Sequence, residues 1–99
     1  MKKIKHLVEQ IQEELHDAEK YAEFALKYKE EDRELANTYH RLAEQELEHA
    51  HALHGNVVRV IKEHGGDPPT VMKAIWDWEH EKMIEQEKEV KTLLEMFRG

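Results

Sequence analysis

Glu46 and His49 lie three residues apart in the middle of a long helical segment, and at this spacing both side chains can reach one metal ion. Glu14, in an earlier helical segment, is a third candidate ligand. All three lie among apolar residues, where a carboxylate is costly unless it is paired, hydrogen-bonded or coordinated. The sequence therefore predicts a metal site formed by Glu14, Glu46 and His49. Glu13 and Asp17 are the alternatives to Glu14.

Three helices must position these residues. The segment Gly65-Gly66-Asp67-Pro68-Pro69 ends one helix and prevents its continuation. The charged segment Lys29-Glu30-Glu31-Asp32 is a weaker interruption, and Asp32 is a suitable N-cap for the helix that follows. Apolar residues recur at the helical period, and no strand pattern is present. We predict one all-α domain over residues 1–99, with helices over about 3–30, 33–64 and 70–97.

A short turn between the first two helices predicts that they pack antiparallel. Counted from a turn near position 31, Glu14 is 17 residues away and Glu46 is 15 residues away, so both lie at nearly the same height. Tyr21 and Tyr39 are 10 and 8 residues from the turn and share a level nearer to it. The two tyrosines are therefore expected to flank the metal site. They are candidates for redox-active residues, although a packing role in the core is the alternative.

The third helix offers a second, weaker set of candidate ligands. Counted back from the Pro-Pro turn, Glu79 and His80 lie level with about position 55, close to His54. These three residues could bind a metal, or form a buried hydrogen-bonded group. The residue level with Glu46 is Gln86, so this helix does not supply further ligands for the first site.

The composition excludes several classes of protein. The chain has no cysteine, which rules out disulfide scaffolds, cysteine-ligated zinc and iron–sulfur clusters. A net charge of −7 opposes nucleic acid as the main partner. Apolar runs are too short to span a membrane, and the start Met1-Lys2-Lys3-Ile4 lacks the apolar core of a signal peptide. We therefore expect a cytoplasmic protein. His6, His16 and His40 are expected on its surface.

One chain supplies only half of a carboxylate-bridged two-metal site. The full set takes a Glu from each of two helices and a Glu-x-x-His pair from each of two others. The simplest prediction is that at least two identical chains associate, and that each contributes Glu14, Glu46 and His49. Oxygen ligands with one imidazole per metal suit iron or manganese, and zinc could bind the same groups.

Two segments resemble the ferritin-like superfamily, in particular the first helix pair of rubrerythrin. Glu14 is followed seven residues later by Tyr21, and Gln45-Glu46-Leu47-Glu48-His49-Ala50 is similar to the family's Q-E-x-E-H-A run. The resemblance covers about residues 4–64; the second helix pair and the cysteine-containing rubredoxin domain are missing. As a half-bundle the chain is also similar to encapsulated ferritins, whose site forms between subunits. It differs from them in its long third helix and in having no recognisable encapsulation tail. It is also similar to small phage and prophage helical proteins.

The resemblance implies di-iron binding, with ferroxidase or iron-sequestering activity at a dimer interface. Peroxide reduction uses the same ligands and is a third functional hypothesis. The alternative from another class is a metal-free, or only structurally metallated, helical oligomer that acts as an interaction protein of phage or cellular origin. The sequence alone does not separate these hypotheses.

Overall fold

The computed structural model describes the backbone of residues 2–63 and 70–99 and the side chains of residues 2–63 and 76–99. The predicted all-α class is confirmed: the described residues form α1 (Lys2–Tyr28), α2 (Arg33–Glu63) and α3 (Thr70–Arg98), and none of them is in a strand. The predicted break at residues 65–69 lies outside the described residues. None of the described helices carries an apolar stretch of the length that crossing a bilayer requires.

A four-residue connection separates α1 from α2. The amide of Asp32 donates to the carbonyl of Tyr28, and the amide of Ala36 donates to the carbonyl of Asp32. Asp32 is the N-cap of α2, because its Oδ1 accepts a hydrogen bond from the amide of Leu35 at 3.1 Å. The short connection folds α1 and α2 into an antiparallel hairpin.

The hairpin is held by a row of buried residues with coiled-coil spacing. Along α1 the buried positions alternate by four and three residues, which is the heptad pattern of helices that pack side by side. These residues are Ile4, Val8, Ile11, Leu15, Ala18, Ala22 and Ala25. Near the connection both helices bury alanine, as at Ala25 and Ala36, which are fully covered. Small side chains at this end allow the two helix axes to approach closely.

The third helix runs parallel to α1. Side-chain hydrogen bonds join Gln12 to Glu79, Glu19 to Gln86, and Lys29 to the carbonyl of Met96. In each pair the two residues are 67 positions apart, so the two helices keep one register along their length. The apolar side of α3 buries Met83, Val90, Leu94 and Phe97.

The hairpin has two faces, and α3 lies against only one of them. Gln12 of α1 contacts α3, whereas Glu14, two positions further on, lies about 200° around the helix and faces the other side. Gln86 of α3 donates a hydrogen bond to Glu19 of α1. It therefore does not approach Glu46, which lies on the other face of the hairpin. We call the side away from α3 the open face. It carries Glu14, Tyr21, Phe24, Tyr39, Leu42, Glu46 and His49.

Candidate metal centre

Glu14, Glu46 and His49 meet on the open face. One ligand atom from each lies within 4.8 Å of the other two. The Nδ1 atom of His49 is 3.4 Å from Oε2 of Glu14 and 3.8 Å from Oε1 of Glu46. Helix spacing brings Glu46 and His49 together, and the antiparallel register of the hairpin brings Glu14 to them. The structure thus assembles the predicted residues, while metal binding stays a prediction.

The site is covered on one side and open on the other. The side chains of Glu14 and Glu46 are only 19% and 18% exposed, whereas that of His49 is 59% exposed. The carboxylates therefore lie against the hairpin, and the imidazole stands at its outer rim. Glu13, the first alternative to Glu14, is exposed, and Asp17 is half-buried nearby. The group of three thus includes Glu14 and neither alternative.

The carboxyl group of Glu46 ionises less readily than an ordinary glutamate. Burial, the hydrogen bond that protonated Glu46 donates to the Glu14 carboxylate, and the charge of Glu14 raise the pKa of Glu46 to about 7. The charge of Asp17 raises the pKa further, and His49 opposes the rise. Without metal, Glu46 therefore keeps its proton to a higher pH than an ordinary glutamate. A divalent cation could take the place of that proton.

The raised pKa of Glu46 predicts a pH dependence of the stability of the metal-free protein. The pKa of Glu46 is about 7 in the folded chain and 4.5 in its ordinary state, so between these values the folded state binds more protons than the unfolded state. The contribution of Glu46 to the free energy of unfolding must then fall as the pH rises from about 4.5 to about 7, and level off above. Urea unfolding in the presence of a chelator, at pH 5 and pH 8, measures this. Glu46→Gln should gain stability relative to wild type at pH 8, and identical pH profiles of the two proteins would contradict the raised pKa of Glu46.

The predicted tyrosines lie together in a larger aromatic cluster. The rings of Tyr21 and Tyr39 stack with their centroids 6.0 Å apart. Phe24 and Tyr28 also pack on Tyr39, at 5.2 and 6.3 Å, and spacing alone did not single out these two residues. Tyr21 follows Glu14 by two helical turns, a rise of about 10 Å. The cluster fills the end of the hairpin near the connection, and a redox role for Tyr21 or Tyr39 stays a prediction.

The second predicted ligand set is not formed as a group of three. The Nε2 atoms of His54 and His80 are 3.1 Å apart. Glu79 instead accepts a hydrogen bond from Gln12 of α1 and pairs with Lys82 at 3.1 Å. Adjacent residues on a helix point about 100° apart, so Glu79 and His80 cannot face the same neighbour. Glu79 faces α1 and His80 faces α2.

One histidine differs from the sequence-based expectation, and a second makes a contact that the sequence did not indicate. His40, expected on the surface, stacks on the ring of Phe97 at 4.5 Å, and its Nε2 atom is buried with no hydrogen-bond partner among the described residues. His51 contacts α3, where its Nε2 atom lies 2.5 Å from Oε1 of Glu87. Glu87 was not a candidate in the sequence. The available signal was its position seven residues after His80, which places both on one side of α3.

Comparisons of the chain with protein-family models, with curated proteins and with solved structures find no match. Membership of the ferritin-like superfamily therefore stays a prediction that rests on the sequence motifs of α1 and α2.

Proposed function

We propose that this protein is a ferritin-like di-iron protein that acts as a homodimer, at least, and oxidises or sequesters Fe(II). The observation that carries the proposal is the meeting of Glu14, Glu46 and His49 within 4.8 Å on the open face. Two chains related by a two-fold axis supply four carboxylates and two imidazoles, which is the ligand set of ferritin-like two-metal sites.

The donor atoms favour iron or manganese, and zinc could occupy the same ligands. In the oxidase reaction, two Fe(II) ions each give one electron to dioxygen, which takes up two protons and leaves as hydrogen peroxide. Glu46 makes metal binding depend on pH, because it must release its proton before both carboxylates can bind a cation. His49, at the exposed rim, can adjust its ring to the incoming ion.

The open face is where we place the second copy of the chain. The candidate site lies at this surface, with His49 59% exposed. Half-buried aromatic and aliphatic side chains lie on the same face, among them Tyr21, Phe24 and Leu42. An isologous two-fold contact on this face sets each chain's site opposite that of its partner. The same contact covers the apolar side chains that a single chain leaves half-exposed.

The raised pKa of Glu46 favours the structural alternative, because a protonated Glu46 can donate a hydrogen bond to Glu14 without metal. A metal-free helical oligomer could keep such a pair in its interface. The two functions differ in whether the carboxylates take up a cation at neutral pH.

Anaerobic titration with Fe(II) distinguishes them. We expect saturation at about one iron per chain, or two per dimer, because three ligands come from each chain. Proton release should accompany binding, since the cation displaces the proton of Glu46. Isothermal titration calorimetry in two buffers of different ionisation enthalpy measures both quantities at pH 7.

The matched control is Glu13→Gln, which removes an exposed carboxylate from the same helix and should leave the stoichiometry unchanged. No binding of Fe(II) by the wild-type protein would exclude the di-iron function and leave the structural oligomer.

A further inference from the structure

A second polar cluster lies between α2 and α3, on the other side of the hairpin from the open face. A cavity of about 280 Å³ is lined there by His51, His54, His80 and Glu87, above an apolar floor that includes Met83. The helix α3 packs more extensively on α1 than on α2. The cavity lies at the weakly packed contact between α2 and α3.

His54 and His80 have the separation of two ligands of one metal ion. Their Nε2 atoms are 3.1 Å apart. Two imidazole nitrogens on a tetrahedral zinc ion, at Zn–N distances of about 2.0–2.1 Å, are about 3.3 Å from each other. Trp76 stacks on His80 with centroids 5.1 Å apart and lies 5.7 Å from the ring of His54. These ring contacts hold both imidazoles in place before any ion arrives.

The surroundings of His54 favour its neutral form. Burial, with the nearby His80 and His51, lowers the pKa of His54. His54 is therefore neutral at pH 7, as a metal ligand must be. A direct hydrogen bond between the two rings gives the same distance, and metal titration distinguishes the two states.

Further donors stand at the same cavity. His51 precedes His54 by one turn of α2, and Glu87 follows His80 by two turns of α3. The His51–Glu87 pair lines the cavity beside the His54–His80 pair. The cluster therefore holds three imidazoles and a carboxylate, a donor set richer in nitrogen than the triad of Glu14, Glu46 and His49.

We propose that His54 and His80 form a second metal site, specific for divalent ions of the zinc class, that fastens α3 to α2. Imidazole donors favour Zn²⁺, Cu²⁺ or Ni²⁺ over ions that prefer oxygen ligands. The nearest further donors, His51 and Glu87, pair with each other and form no group of three with the two imidazoles within 4.8 Å, so the proposed site is the His54–His80 pair itself. The site does not depend on the di-iron function, since it shares no ligand with the triad on the open face.

Trp76 provides a local probe of this site. The chain has two tryptophans, so Trp78→Phe leaves Trp76 as the only one. Titration of that variant with Cu²⁺ should quench most of its fluorescence at one equivalent, because the ion would lie next to the indole ring. Added Zn²⁺ should restore the signal by competition, and Zn²⁺ alone should raise the melting temperature.

His80→Gln and His54→Gln, each in the Trp78→Phe background, should bind Cu²⁺ at least about tenfold more weakly and lose the effect of Zn²⁺ on melting. The exposed His16→Gln is the matched control and should behave like its parent. Far-UV circular dichroism checks that each variant is helical, and either histidine variant suffices if the other is unfolded. Unchanged quenching in the folded variants would overturn the second site. Quenching that is lost in Glu46→Gln would also overturn it, by assigning the ion to the triad.

Discussion

Replacing Glu46 with Gln should change the stability of the protein in different directions with and without iron. In the metal-free protein, the change removes the cost of a buried carboxyl beside Glu14, so the melting temperature should stay equal or rise. With Fe(II) present, the variant lacks an anionic ligand. At a hundredfold excess of Fe(II) over its dissociation constant, the wild type should gain about 2.7 kcal/mol of stability that the variant does not. Anaerobic melting curves of both proteins, with and without Fe(II), measure the difference.

Two further variants make this result specific. Glu13→Gln alters the exposed carboxylate next to Glu14 and should keep the full response to Fe(II). His49→Ala should lose the response, yet change the metal-free stability by no more than about 0.5 kcal/mol, because its side chain is 59% exposed. If wild type and Glu46→Gln differ by the same shift with and without Fe(II), the triad is structural and the iron-dependent function is wrong.

Replacing Leu42 with Glu should dissociate the proposed dimer. Leu42 lies on the open face one helical turn before Glu46, so a two-fold contact there would bury its side chain. A carboxylate at the centre of such an interface should cost at least about 2 kcal/mol, which is roughly a thirtyfold rise in the dimer dissociation constant. Sedimentation velocity at micromolar concentration measures the loss. Iron uptake should fall with it, because each site needs ligands from two chains.

Met96→Glu is the matched control for the dimer. Met96 lies on α3 and is 57% exposed, so the same added charge falls outside the proposed interface. This variant should sediment like the wild type. A wild-type chain that is monomeric at micromolar concentration with Fe(II) present would contradict the dimer, as would a Leu42→Glu protein that keeps the wild-type mass.

Much of the candidate site could be predicted from the sequence, because the number of residues between two positions of a helix gives their separation along its axis. The rise per residue is constant, and a short connection fixes where two antiparallel helices begin. Counting from a turn near position 31 therefore placed Glu14 nearly level with Glu46, and Tyr21 nearly level with Tyr39. The structure brings both pairs into contact range. The N-cap role of Asp32 followed in the same way from local chemistry.

Counting could not decide on which side of the hairpin α3 would pack. A height along the helix axis says nothing about direction around it, and that direction depends on which buried rows fit together across three helices. The structure places α3 against Gln12 and Glu19, away from the open face. It therefore turns Glu79 toward α1 and His80 toward His54, although the sequence set all three at one level. The triad forms within the hairpin of α1 and α2, which the local sequence specifies. The contact between His54 and His80 depends on the direction from which α3 packs, which only the tertiary structure determines.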